Sequence, residues 1–92
     1  MPAFKPIWIT AFTNAEEIRE KLGSKYGIDV DEIKRYALTN SQLRGRDVID
    51  EVHGLRTVII IVLPRGKTIM AWIELENSEI HTWKIRTARY IN

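Results

Sequence analysis

Two histidines carry whatever general acid–base chemistry this chain has near neutral pH. His81 falls early in an expected strand, within reach of Glu74 or Glu79. Such a pair could act as base and acid, although a histidine at a sheet edge facing a core is the commoner arrangement. His53 sits beside Gly54 at an expected helix end, where the helix dipole favours the imidazolium; a plain capping role is the commoner reason for a histidine there. The chain has no HExxH or HxxxE spacing, no phosphate-binding glycine loop and no nucleophile elbow. No metal and no cofactor is therefore expected.

The cations and aromatic rings form a more suggestive set. Trp72, Lys84, Arg86 and Tyr90 are spaced to share one face of a sheet with Glu74, beside Val58, Ile60 and Met70. Rings that stack on bases, set among cations that meet phosphates, are what single-stranded RNA requires. Arg44, Arg46 and Arg56 flank a segment expected to be irregular. Arg65 and Lys67 sit at a hairpin tip, and all five could contact phosphate. Cations on a half-exposed strand also serve simply as solvated surface, their stems lying over apolar neighbours.

Those side chains need a scaffold, and Leu55 to Glu76 supplies its centre. Thr57 to Leu63 is an apolar run rich in β-branched residues, and Lys67 to Glu76 alternates. Pro64-Arg65-Gly66 between them suits a three-residue turn closed by a left-handed glycine. Pro6 to Phe12 reads as a first strand. Asn14 with Glu17 reads as a capping box opening a helix to Tyr26, whose stripe is Ala15, Ile18, Leu22 and Tyr26 and whose end is Gly23 or Gly27. Asp29 with Glu32 opens a second helix over about 30 to 38, with a strand over 33 to 39 as its rival. Residues 39 to 46 read as irregular and exposed, with Gly45 as a breaker. Asp47 to His53 reads as one or two helical turns capped by Gly54. A last strand runs from Glu79 to Tyr90. The expected fold is α+β: a strand, two helices with a third short one, then a three-stranded antiparallel meander with the helices on one face.

The turn sets the register. Leu63 pairs with Lys67, Ile61 with Ile69, Ile59 with Ala71 and Thr57 with Ile73. This odd-numbered face is the more apolar one and should meet the helices. A strict two-residue turn at Asn77-Ser78 would bury Lys84 and Arg86 beneath them, at several kcal/mol each. A one-residue bulge instead turns His81, Trp83 and Ile85 inward and leaves the cations outside.

At 92 residues, 45% hydrophobic and 28% charged, the chain suits one soluble globular domain. A domain this small gains from covering an edge or face by dimerisation. No apolar run reaches the roughly 20 residues of a membrane span. Without a signal-peptide pattern or cysteine, a cytoplasmic location is the default. A net charge of +2 leans mildly towards acidic partners.

The order strand, helix, helix, meander resembles the RelE/BrnT-type ribonuclease toxins of toxin–antitoxin pairs. Ala11-Phe12-Thr13-Asn14-Ala15 is similar to their first strand–helix junction. Tyr26-Gly27-Ile28-Asp29-Val30-Asp31-Glu32-Ile33 resembles their link into the second helix. Ile85-Arg86-Thr87-Ala88-Arg89 resembles the terminal Ser/Thr-Ala-Arg strand of the BrnT branch. The resemblance implies metal-independent RNA cleavage, with Thr87 and Arg89 matching the terminal motif and Arg86 and Lys84 as cations on the same strand. It also implies a protein partner of the antitoxin kind. Two readings compete. One is a protein-interaction or dimerisation module without catalysis. The other is a winged-helix DNA-binding protein with helices at 14–26, 30–38 and 46–53 and residues 57–76 as its wing.

Overall fold

The computed structural model describes residues 4–39 and 43–91. In chain order the elements are β1 (Lys5–Pro6), β2 (Ala11–Phe12), α1 (Ala15–Tyr26), α2 (Val30–Thr39), β3 (Arg44–Asp50), β4 (Gly54–Val62), β5 (Thr68–Asn77) and β6 (Thr82–Tyr90). All six strands join one mixed sheet in the order β1-β3-β4-β5-β6-β2, in which only the short β2 runs parallel to its neighbour. The two helices pack on one face. A three-stranded meander after a strand and two helices is therefore not the fold. Four long strands follow the helices, and short segments of the N-terminal stretch finish both edges.

The meander gains its fourth strand from residues 44–50, expected to be irregular at first and helical after. β-branched Val48 and Ile49 favour the pleat, and the ladder to β4 holds the rest of the segment extended. The expected helical turns over 47–53 do not form. Asp50 Oδ1 accepts the backbone N–H groups of Val52 (2.7 Å) and His53 (2.9 Å), the bonds an N-cap makes. Here they close a turn into β4, and Gly54, at φ 77°, sits in the hairpin instead of ending a helix. Gly45 breaks nothing. A Cβ there would lie 2.7 Å from Thr57 Cγ2 and 3.1 Å from Ile7 Cδ1, so glycine is what lets the β3 backbone approach β4 and the N-terminal segment. Of the expected irregular stretch, Asn40, Ser41 and Gln42 lie outside the described residues, and Leu43 is buried.

The expected first strand, 6 to 12, is two fragments on opposite edges of the sheet. β1 pairs with Arg44 and Gly45 of β3, and β2 pairs with Thr82 and Trp83 of β6. Residues 7–10 cross between them. Ile7 N–H donates to the Leu43 carbonyl, Thr10 N–H donates to the His81 carbonyl, and the Trp83 indole donates to the Trp8 carbonyl at 2.9 Å.

The helices follow their apolar stripes. Ala15, Ile18 and Leu22 of α1 and Val30, Ile33 and Ala37 of α2 are buried. Tyr26 is not; it is partly exposed beneath Lys25. Gly27, left-handed at φ 66°, ends α1. Residues 33–39 are helical, not a strand. Asp29 caps α2 through a 2.9 Å bond from Asp31 N–H. Asn14 makes no capping bond.

The central hairpin has the expected register, with Ile61 opposite Ile69 and Thr57 opposite Ile73, and Gly66 is left-handed at φ 89°. β6 carries two register shifts against β5. At the first, Glu76 is the extra residue on β5, and Trp83 and Ile85 turn inward to be buried. At the second, Arg86 is the extra residue on β6, so Trp72 faces Thr87 and Ile69 faces Tyr90. Parity flips there: Ala88 and Tyr90 pass to the helix side, and Arg89 comes out. Among the described residues no helix is long and apolar enough to cross a membrane.

Candidate nucleic-acid interface

Among the described residues no helix packs on the even-numbered face of β4 and β5, and its most polar part is built around Glu74. The Glu74 carboxylate lies between two guanidinium groups. Oε2 accepts from Arg56 Nη1 at 2.9 Å, and Oε1 accepts from Arg86, including Nε at 2.9 Å. The hydrogen bond from Arg86 holds this carboxyl below the usual glutamate range, reinforced by the charges of Arg86, Arg56 and Lys84 against an opposing push from burial. Glu74 is thus an ionised organiser of cations with no proton to give.

Beside this cluster, the Arg89 guanidinium lies 5.3 Å from the centre of the Trp72 ring. The pair exists because of the second register shift, since an uninterrupted strand would have sent Arg89 to the helix side. A bulge commonly re-aims side chains near functional sites. Here Arg86 and Thr87, adjacent in sequence, both line one groove. That groove has a volume of about 690 Å³, and its other walls are Lys21, Asp50, His53, Arg56 and Trp72. Lys84 stands next to it, 3.7 Å from Glu76, whose carboxylate also accepts from the hydroxyls of Thr13 and Thr82.

The face brings together Trp72, Glu74, Lys84, Arg86, Thr87 and Arg89 from the sequence-derived set, with Arg56; the ladder register puts Arg46, opposite Val58, on the same face two strands from Trp72. It does not bring in Tyr90, Arg65, Lys67 or His81. Tyr90 lies on the helix side, packed against the core, its ring beneath Lys67 Nζ and its hydroxyl accepting from Arg65. Arg65 also forms a double hydrogen bond with Glu32 of α2 at 3.1 Å, locking the hairpin tip to the helix. Arg46 lies over the Phe4 ring and Arg44 is exposed at the β1 end of β3. His81, left-handed at φ 56°, stacks on Trp8 with ring centres 5.4 Å apart on the helix side. It and Glu74 do not form a base–acid pair.

The sequence offers Arg56 as a phosphate contact and His53 as a histidine at a helix end but places neither beside Trp72, and it gives no signal for Lys21 or Asp50; only the β3–β4 hairpin turns these residues towards Trp72 and Arg86. No three His, Asp or Glu side chains gather as a metal site among the described residues.

No protein-family model matches the chain, and no curated protein or solved structure is detectably similar to it.

Proposed function

We propose that this protein binds single-stranded RNA on the uncovered face of its sheet. The observation that supports this most is the Trp72–Arg89 pair beside the Arg56–Glu74–Arg86 cluster. It offers a ring for a base, a cation over that ring, and guanidinium groups at the reach of a neighbouring phosphate. Cations outnumber carboxylates around the groove: Lys21, Arg56, Lys84, Arg86 and Arg89 against Asp50, Glu74 and Glu76.

The same surface suggests how an RNA strand would be cut without metal. The His53 imidazole takes the proton from a ribose 2′-hydroxyl, and that oxygen attacks the adjoining phosphorus. The bond to the 5′-oxygen breaks and that oxygen leaves with a proton from solvent. Arg56 and Arg86 stabilise the extra negative charge on the phosphoryl oxygens. Thr87 can position a phosphate oxygen through its hydroxyl. This departs from the pairing of His81 with Glu74, because the Glu74 carboxylate is taken up by Arg56 and Arg86 and His81 stacks on Trp8. The third helix that a winged-helix DNA reading requires is a strand, and the segment offered as its wing is the middle of the sheet.

The test is a fluorescent single-stranded RNA titrated with protein across a range of salt, in the presence of a chelator. Binding should weaken steeply with salt. Arg86→Ala with Lys84→Ala should lower the slope of log affinity against log salt by about 0.7 for each phosphate contact removed. Trp72→Ala should weaken binding without changing the slope. Cleavage would appear as products ending in a 2′,3′-cyclic phosphate and vanish in His53→Ala. Binding unaltered in the Lys84/Arg86 double variant removes the proposal.

A further inference from the structure

A second ring and guanidinium share the face of Trp72 and Arg89. The β1–β3 register pairs Pro6 with Arg44 and Lys5 with Gly45, and one further step sets Phe4 opposite Arg46. Their side chains meet: the Arg46 guanidinium lies 5.9 Å from the centre of the Phe4 ring, which is 41% exposed. Arg46 pairs in turn with Val58 of β4, and Val58 with Trp72 of β5. Residues paired across strands point to one face. One transverse row of the sheet therefore runs Phe4, Arg46, Val58, Trp72, with a ring and a guanidinium at each end and a buried valine between. The row beside it on the same face runs Val48, Arg56, Glu74, Lys84, and Arg86 joins it through Glu74. Rings thus lie along one track and cations along the next.

We infer that Phe4 and Arg46 form a second base platform, and that a single RNA strand crosses the sheet at right angles to its β-strands. Its bases follow the row from Trp72 to Phe4, and its phosphates follow Lys84, Arg86 and Arg56. This rests on the RNA reading above and adds the path and the length of the bound segment. Strands of a sheet lie about 4.8 Å apart, so rings three strands apart are separated by about 14 Å. Stacked neighbours in a nucleic-acid strand are only about 3.4 Å apart. The two rings therefore do not hold neighbouring stacked bases. The strand is drawn out between them with a nucleotide over Val58, and the site takes a run of about three unpaired nucleotides, in keeping with the two or three bases that aromatic side chains stack on other small sheets. A guanidinium plane is itself a surface for a base, so Arg46 and Arg89 enlarge their rings without blocking them. A duplex keeps its bases paired and gives neither ring a free face.

Fluorescence anisotropy with labelled oligouridines of increasing length tests this. Affinity should climb steeply up to about three nucleotides and level off beyond. Phe4→Ala should weaken binding of an eight-nucleotide probe about tenfold and leave the slope of log affinity against log salt unchanged, because a stacking surface is lost and no phosphate contact is. Phe4→Leu keeps apolar bulk beside β1 and should bind as weakly as Phe4→Ala, whereas Phe4→Tyr keeps a ring and should bind like the wild type. Arg46→Lys keeps the charge and loses the plane, so it too should weaken binding at constant slope. An eight-nucleotide probe carrying 4-thiouridine should crosslink under ultraviolet light to both Phe4 and Trp72, located by mass spectrometry of the peptides. Far-ultraviolet circular dichroism should be the same for every variant. If Trp72→Ala weakens binding while Phe4→Leu and Arg46→Lys bind like the wild type, or if crosslinks form at Trp72 and not at Phe4, the second platform is overturned and the RNA reading stands. A wild-type protein that binds none of the probes overturns both.

Discussion

Asn14 grips Ile85 by both ends of its backbone. The Asn14 side-chain amide donates to the Ile85 carbonyl at 2.7 Å, and Ile85 N–H donates to Asn14 Oδ1 at 2.8 Å. β2 ends at Phe12, and Thr13 N–H continues its parallel ladder to the Trp83 carbonyl. The asparagine side chain then takes the place of the next strand residue. It holds β6 one residue before the bulge at Arg86, and so stabilises the register that brings Arg89 over Trp72.

Asn14→Ala leaves a buried donor and a buried acceptor of Ile85 without partners. It should destabilise the fold by about 2–4 kcal/mol. The loss is not a lost helix cap, because the Asn14 side chain makes no bond to α1. Urea unfolding measures the total. Hydrogen exchange distinguishes the cause, since the Ile85 amide should lose its protection while the first turn of α1 keeps its own.

Gly45 sits where β1, β3 and β4 come together. Gly45→Ala should cost about 1–3 kcal/mol, because the new methyl group meets Thr57 Cγ2 at 2.7 Å inside a packed layer. Thr57→Ser removes that carbon and keeps the hydroxyl that donates to Asp47 at 3.1 Å. The double variant Gly45→Ala/Thr57→Ser should therefore be more stable than the sum of the single changes implies. A double-mutant cycle by urea denaturation measures the coupling, and strict additivity would contradict this account.

What could be read in the chain and what could not divides along this same line between local and distant causes. The hairpin from Thr57 to Glu76 was legible because its signals are local: an apolar run, a Pro-Arg-Gly turn, then alternation. The inward faces of Trp83 and Ile85 were legible because burying Lys84 and Arg86 is costly enough to choose a register. β3 is hidden because its cues have two meanings. Gly45 reads as a breaker until Ile7 and Thr57 are known to crowd it, and a left-handed Gly54 closes a hairpin as readily as it ends a helix. Tyr90 was placed on the wrong face because the bulge at Arg86 leaves no mark in the local pattern. Asn14 was read as a cap because its partner lies 71 residues away. The groove lined by His53 and Trp72 exists only once β3 joins the sheet, so its membership could not be seen in advance.

Glu74 makes the fold sensitive to acid. Its folded carboxyl titrates below the unfolded value because Arg86 and Arg56 favour the charged form. Asp47 is lowered too, by Lys5 and then Thr57. A depressed carboxyl contributes stability that is complete above its unfolded value, near 4.3 for glutamate. That contribution disappears as the pH falls through the folded value. The urea midpoint should hold steady at neutral pH and drop from about pH 5 downwards. Glu74→Gln should lower the midpoint at pH 7 and flatten the acid limb. An acid limb as steep as that of the wild type would show that the Arg56–Glu74–Arg86 cluster contributes nothing to it.

The same substitution should act in the opposite direction on nucleic-acid binding. In the free protein the two guanidinium groups of Arg56 and Arg86 are held by one carboxylate, and a phosphate must compete with it. Glu74→Gln keeps the side-chain shape, removes the competitor and raises the charge of the groove by one. Affinity for single-stranded RNA at low salt should rise about three- to tenfold. The slope of log affinity against log salt should steepen by about 0.7, one additional phosphate contact. Stability and affinity moving apart in a single variant is the signature of a carboxylate that orders cations for a ligand. If Glu74 were only a structural ion-pair partner, its replacement would loosen the face and weaken binding together with stability. Salt-dependent fluorescence titrations of the wild type and Glu74→Gln, made at a temperature where both are fully folded, decide between these two roles.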